Sequence, residues 1–146
     1  MVLWRISRLI DLKGIGGLRS SGRWHEGGLP VVYLAESPAG TLIKVCVHTS
    51  SNDVPPTYTL LQVEGPDLVC PSILLESLPP DWATKPEITR ELGDKWLREK
   101  GSALLKVPSA IVPQTSNYVF NPLHLDANHF TIVQTYANPF DMRIKQ

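Results

Sequence analysis

Arg23, Tyr33, Lys44 and Ser109 are the residues whose types and settings admit chemistry. Arg23 stands in SGRWHEGG, where flanking glycines let the backbone approach a ligand closely. Its planar guanidinium can grip a phosphate pair bidentately, or it can simply lie over Trp24. Tyr33 ends the β-rich run PVVYLA, where it either stacks on a flat ring or fills the core. Ser109 follows Pro108 between two apolar runs, as a ligand contact or a bonded turn residue. No G-x-S-x-G surrounds it and no His–Asp partner is evident, so nothing marks it as a nucleophile. Asn117 and Asn121 read as loop-stabilising amides.

Lys44 is the anomaly. It sits in AGTLIKVCVH, an otherwise apolar stretch. Ser37 can cap a helix there and Pro38 fits its first position, so a helix is expected from about Pro38 to His48. On that helix Thr41, Lys44 and His48 share a face, while Leu42, Ile43, Val45, Cys46 and Val47 cover the rest. This predicts a mostly buried helix with a narrow polar stripe.

The elements that must position these residues are short. Strands are expected at Val2–Arg8, Pro30–Ala35, Thr57–Glu64, Ala103–Pro108, Ala110–Pro113 and Phe130–Thr135, with an apolar piece at Tyr118–Phe120. Asp67–Leu78 holds at most a short strand and a turn, LPPDWATKP is a loop, and FDMRI pairs or packs at the end. The best helix is Glu87–Glu99, with Ile88, Leu92, Trp96 and Leu97 along one side. Gly14–Gly28 is expected to be a loop. Its GIGG is no dinucleotide fingerprint, because no strong strand feeds it and no helix pattern follows. Strands outnumber helices without alternating with them, which favours a single α+β domain of short mixed or antiparallel strands.

The composition narrows the classes. A chain of 146 residues suffices for one domain with a real core. Fourteen basic and fourteen acidic residues cancel, and no Lys/Arg cluster occurs, which argues against nonspecific nucleic-acid binding. Two cysteines, Cys46 and Cys70, are too few for a disulfide scaffold and read as buried thiols of a reducing compartment. The four histidines lack metal-ligand spacing, and no metal or resident cofactor is expected. Thirteen prolines, paired at Pro55-Pro56 and Pro79-Pro80, read as turns between short elements. No signal peptide or spanning segment is read, so a cytoplasmic protein without membrane partners is expected.

In order along the chain, WRIS, GRWHEGGLPVVYLAESPAG, a helix ending in VH, VPSAIVPQTSNYVFNPLH and PFDMR resemble the RES domain. The resemblance runs from about Trp4 to Arg143 and implies one RES domain over residues 1–146. It implies a fold like that of ADP-ribosyltransferases and the role of toxin in a bacterial type II toxin–antitoxin pair. The implied activity is NAD⁺ degradation, by hydrolysis or phosphorolysis of the nicotinamide–ribose bond. NAD⁺ is then a substrate, with phosphate as co-substrate in the second case. The implied partner is an Xre-type helix-turn-helix antitoxin whose C-terminal region blocks the cleft, around a toxin homodimer within a larger assembly. By resemblance Arg23 holds the NAD⁺ phosphates, Tyr33 stacks on nicotinamide and Ser109 lines the same cleft.

The resemblance also gives Lys44 its meaning. The family pattern resembles A-x-x-E-V-x-V-H, and here the stretch reads TLIKVCVH, so Lys44 holds the place of the family's Glu. Glu36 is the nearest other carboxylate, but it precedes the helix. Cleavage passes through an oxocarbenium-like state, which a carboxylate beside the ribose stabilises. One unit charge at 4 Å is worth about 4 kcal/mol at an effective dielectric of about 20, so exchanging Glu for Lys shifts the barrier by up to roughly 8 kcal/mol. Even half of that lowers the rate by about a thousandfold. The expectation is an NAD⁺-degrading toxin impaired in this chain. The alternatives are an inactive protein kept for binding its antitoxin, and a protein ADP-ribosyltransferase.

Overall fold

A computed structural model of the chain describes residues 1–48, 58–137 and 139–145. Within the described residues six strands form one sheet: β1 (Val2–Ser7), β2 (Val32–Ala35), β3 (Thr59–Glu64), β4 (Leu104–Pro108), β5 (Ser116–Phe120) and β6 (Thr131–Ala137). Their order is β4-β5-β2-β1-β3-β6, and every neighbouring pair is antiparallel. Among the described residues three α-helices accompany the sheet: α1 (Ile15–Arg19), α2 (Pro38–His48) and α3 (Pro86–Glu99). The class is α+β, as the pattern of elements predicts.

Period-two alternation divides the core between the two faces of the sheet. Leu105, Val107 and Val119 pack on one face with Trp24, Trp82 and the α3 residues Trp96 and Leu97. Their strand neighbours Leu104 and Phe120 join Leu3, Val32, Leu34, Val63 and Phe130 in the other cluster. Tyr33 packs against the first cluster while Val32 and Leu34 belong to the second, so one strand feeds both layers.

The join between β1 and β2 is unlike the others. They are paired at one position only, Trp4 with Ala35, whereas β1 pairs with β3 from Val2–Glu64 through Ser7–Thr59. The sheet therefore consists of two well-zipped halves, β4-β5-β2 and β1-β3-β6, hinged at a short seam. No further β1–β2 pair accompanies Trp4–Ala35 among the described residues, and residues of both strands line one cleft there.

Several expectations need correction. Gly14–Gly28 is not wholly loop, because Ile15–Arg19 closes a short helix. Two glycines hide this helix from propensity, and one of them, Gly17, lies where an added Cβ would sit 2.4 Å from Val31 Cγ1. Packing against the β2 approach, not sequence preference, sets that turn. Ala110–Pro113 is no strand: the chain reverses there, with Thr115 N–H bonded to the Val112 carbonyl at 2.9 Å. Trp82–Thr84 and Leu75–Ser77 form single 3₁₀ turns, and Ser72 makes a lone bridge to Lys106. The α3 helix begins at Pro86, a proline in the first turn, and buries Thr89, Gly93, Trp96 and Leu97, whereas Leu92 is 38% exposed. Its inner stripe thus contains a glycine and a threonine that an apolar count passes over. The end of the chain forms a 3₁₀ turn, Met142–Lys145. The expected turn at Pro55-Pro56 and the first residue of the expected third strand, Thr57, lie outside the described residues.

The helix α2 is less buried than its sequence pattern predicts. Its cap is as expected, with Gly40 N–H donating to Ser37 Oγ at 3.1 Å. Thr41 is its one buried residue, while Ile43 is 39% and Val47 59% exposed. Cys46 and Cys70 are unpaired and half-buried, not fully buried as expected. Thr41, Lys44 and His48 of the polar stripe border the cleft together with Val45 and Val47, and His48 is exposed at its rim. The physical reason is that α2 borders a cleft of mixed polar and apolar lining instead of packing into either hydrophobic cluster. Among the described residues no helix is long and apolar enough to cross a membrane.

Candidate functional site

The seam opens into a cleft of about 830 Å³. Trp4, Arg5 and Ile6 of β1 line one wall, and Tyr33, Leu34 and Ala35 of β2 line the other. The four residues singled out in the sequence, Arg23, Tyr33, Lys44 and Ser109, all line this one space.

Arg23 is held by its backbone and its side chain. Its carbonyl accepts a short hydrogen bond from Thr89 Oγ1, and its Nη1 donates to the Ala83 carbonyl at 2.7 Å. Arg90 Nε donates to the neighbouring Gly22 carbonyl at 2.8 Å, so α3 grips this loop at two successive residues. Trp24 is buried beside it and tilts against Trp82 at 6.1 Å between ring centroids. The close approach depends on Gly93, where an added Cβ would lie 1.7 Å from the Trp24 carbonyl oxygen. Arg23 therefore does not lie idle over Trp24: the indole goes into the core and the guanidinium stays at the cleft.

The phenol of Tyr33 is fixed by a bonded chain whose polarity can be assigned. His25 Nε2 meets the Gly17 carbonyl at 3.1 Å, and a carbonyl only accepts, so that nitrogen carries the hydrogen. In the neutral ring Nδ1 is then an acceptor, and it receives the Tyr33 hydroxyl hydrogen at 2.7 Å. The Tyr33 oxygen in turn accepts from Trp24 N–H at 3.0 Å. Burial, with a smaller push from Asp94, raises the Tyr33 hydroxyl well above the ordinary phenol range, against the Trp24 hydrogen bond, Arg90 and Arg23. The hydroxyl stays a donor and the ring is pinned at its edge, leaving its face for other contacts. Gly22 makes room for this, because a Cβ there would lie 2.6 Å from the Tyr33 oxygen.

That face is covered by Lys44. Its Nζ lies 4.3 Å from the Tyr33 ring centroid, a cation–π contact. Desolvation lowers the ammonium to about 8, and the Arg5 guanidinium adds to this. Arg5 is itself bound through Nη1 to the Asp11 carbonyl at 2.7 Å. His48, one turn further along α2, is also lowered, first by desolvation and then by Lys44 and Arg23. The carboxylate nearest in sequence goes elsewhere, since Glu36 Oε1 accepts from Ser116 N–H at 3.1 Å and does not line the cleft. No Asp or Glu is among the described residues that do.

Ser109 takes the turn role, and its position also leaves it beside the cleft. Its Oγ accepts from Ile111 N–H and Val112 N–H, both at 3.2 Å, which makes it a turn residue. It also lines the cleft, and neither of those bonds uses its hydroxyl hydrogen. Asn121 behaves as a loop amide, its Oδ1 accepting from Leu123 N–H at 3.0 Å. Asn117 does not: it lies in β5, paired with Ala35, and lines the cleft. Sequence reasoning also missed Arg5, His25 and Arg90. Nothing local in the sequence marks Arg5 or Arg90, and only β1 pairing and α3 packing bring them to the cleft. The adjacency of His25 to Trp24 was the available signal, but its partner Tyr33 is fixed only by the fold. Among the described residues no cluster of three or more His, Cys, Asp or Glu is placed to hold a metal.

Comparison with known proteins adds the following. A family described as RES domain matches residues 2–141. A Pseudomonas putida protein named Toxin Res is 51% identical over 129 residues, covering 87% of this chain and 88% of that one. A Sphingobium protein named Prs ADP-ribosylating toxin is 37% identical over 122 residues, covering 80% of this chain and 76% of that one. Among solved structures, the M. tuberculosis MbcT–MbcA toxin–antitoxin complex contains a chain that superposes with a TM-score of 0.77. That match covers 99% of this chain and 86% of the other at 17% identity, so it concerns the fold.

Proposed function

Because the chain belongs to the RES domain family, we propose that it is the toxin-type member of a toxin–antitoxin pair, with an NAD⁺ cleft at the sheet seam. The observation that carries this is the convergence of Arg23, Tyr33, Lys44 and Ser109 on one cleft. In this account Arg23 and Arg90 hold the diphosphate and Ser109 donates to a ribose or amide oxygen. The family reaction breaks the bond between ribose C1′ and the nicotinamide nitrogen. The bonding electrons go to the ring nitrogen, which loses its charge, and water or phosphate oxygen bonds to C1′. Water gives ADP-ribose, nicotinamide and a released proton.

Positive charge grows on the ribose as that bond breaks, and a carboxylate is the group that stabilises it. This chain offers Lys44 instead, and no other carboxylate among the described lining residues replaces it. The proposal is therefore an NAD⁺-cleaving architecture with its chemistry disabled. The absence of a lining carboxylate equally favours a second reading, a binding protein for an Xre-type antitoxin whose segment fills the cleft. The relative named as an ADP-ribosylating toxin motivates a third, transfer of ADP-ribose to a protein.

Expression in a bacterium separates them. The Lys44→Glu variant should stop growth and drain cellular NAD⁺, co-expressed antitoxin should rescue it, and the parent chain should do neither. Growth arrest with NAD⁺ intact and a labelled protein band would instead establish the transferase. A Lys44→Glu chain that is folded, harmless and still captured by the antitoxin would establish the binding protein.

A further inference from the structure

We propose that this cleft discriminates among nucleotides by the charge of the group presented to Tyr33, holding ADP-ribose and NADH in preference to NAD⁺. The inference rests on the nucleotide reading given above. Arg23 and Arg90 are anchored by backbone carbonyls beside the Gly22–Trp24 segment that touches the Tyr33 hydroxyl, which suits a diphosphate in any of the three ligands.

The face of the Tyr33 ring is where the three ligands differ. The ring is pinned by His25 and Trp24, so it cannot swing to offer another face. The offered face already carries the Lys44 ammonium at 4.3 Å. Arg5 and His48 lie near enough to act on Lys44 or to be acted on by it, and no described lining carboxylate offsets them. A nicotinamide ring stacking on Tyr33 must displace or adjoin that ammonium. The oxidised ring brings a positive charge to the spot and the reduced ring does not. ADP-ribose has no ring and leaves the Lys44–Tyr33 contact intact. The single charge by which NAD⁺ differs from NADH, felt at about 5 Å across a partly screened cleft, is worth about tenfold in Kd.

Calorimetric titration of the intact chain with NAD⁺, NADH and ADP-ribose tests this. NADH should bind at least about tenfold more tightly than NAD⁺, and ADP-ribose at least as tightly as NADH. In Lys44→Gln the NADH/NAD⁺ gap should close to about twofold, with ADP-ribose binding confirming an intact site; Lys44→Met serves if the amide variant does not fold. Equal binding of NAD⁺ and NADH by the parent, or a gap that survives both substitutions, would overturn the inference and leave the nucleotide cleft standing. Failure of all three ligands to bind parent and variants would overturn both.

Discussion

Desolvation and the Arg5 guanidinium hold the Lys44 ammonium down at about 8, against an ordinary value of 10.5. Between those values the unfolded chain binds more protons than the folded one, so stability rises with pH across that window. Below about pH 8 the full cost of the buried charge is present. Replacing Lys44 by Met should therefore stabilise the fold by about 1–3 kcal/mol near neutrality. The gain should fade toward pH 10.5. Parallel urea melts of parent and variant at pH 7 and pH 10 check this; a gain that does not change with pH would place the ammonium in water. Tyr33 keeps its proton throughout the window, and His48, lowered from 6.5, titrates below it. The phenol has its own test. Tyr33→Phe retains the ring but strips a partner from His25 Nδ1 and from Trp24 N–H. It should cost about 1–3 kcal/mol in urea unfolding, the usual penalty for buried polar groups left unmade. The identity of the candidate residues was legible in the sequence because glycine-flanked Arg23 and the intrusive Lys44 stand out locally. The His25–Tyr33 bond was not, because it depends on how β2 lies beside a loop that curls back on it.

At the scale of elements, α3 does more than fill the core. It seats the Arg23 loop through Thr89 and Arg90, and Gly93 sets the spacing. Gly93→Ala should push helix and loop apart, costing about 1–3 kcal/mol or somewhat more in denaturant melts. It should also weaken ADP-ribose binding, which a packing defect remote from the cleft would not do. The helix α2 gives the converse lesson. Its start and cap follow from Ser37 and Pro38, yet its one buried residue is the polar Thr41. Hydrophobic patterning assumes that the inside is apolar, and here the inside is a cleft. The same assumption misplaced Leu92 on α3 and made a strand of Ala110–Pro113, where the Ser109 and Thr115 hydrogen bonds turn the chain instead.

For the whole molecule, zero formal net charge conceals a strong asymmetry. Arg5, Arg23, Lys44 and Arg90 meet in one cleft whose described lining contains no acid. Affinity for ADP-ribose should accordingly fall several-fold as salt rises from about 0.05 to about 0.5 M, as screening shortens the reach of those charges. A salt-independent affinity would point to a ligand held by apolar contacts. The α+β class was readable from short, irregularly spaced strands. The strand order and the seam were not, because only the register of β1 against β2 and β3 reveals where the sheet parts. That seam gathers residues spread from Trp4 to Asn117 into one site. The most direct test of this account is nicotinamide release from NAD⁺ by the purified chain and by Lys44→Glu under identical conditions. The account predicts that the variant is faster by about a thousandfold. Equal rates, with both proteins folded, would contradict it.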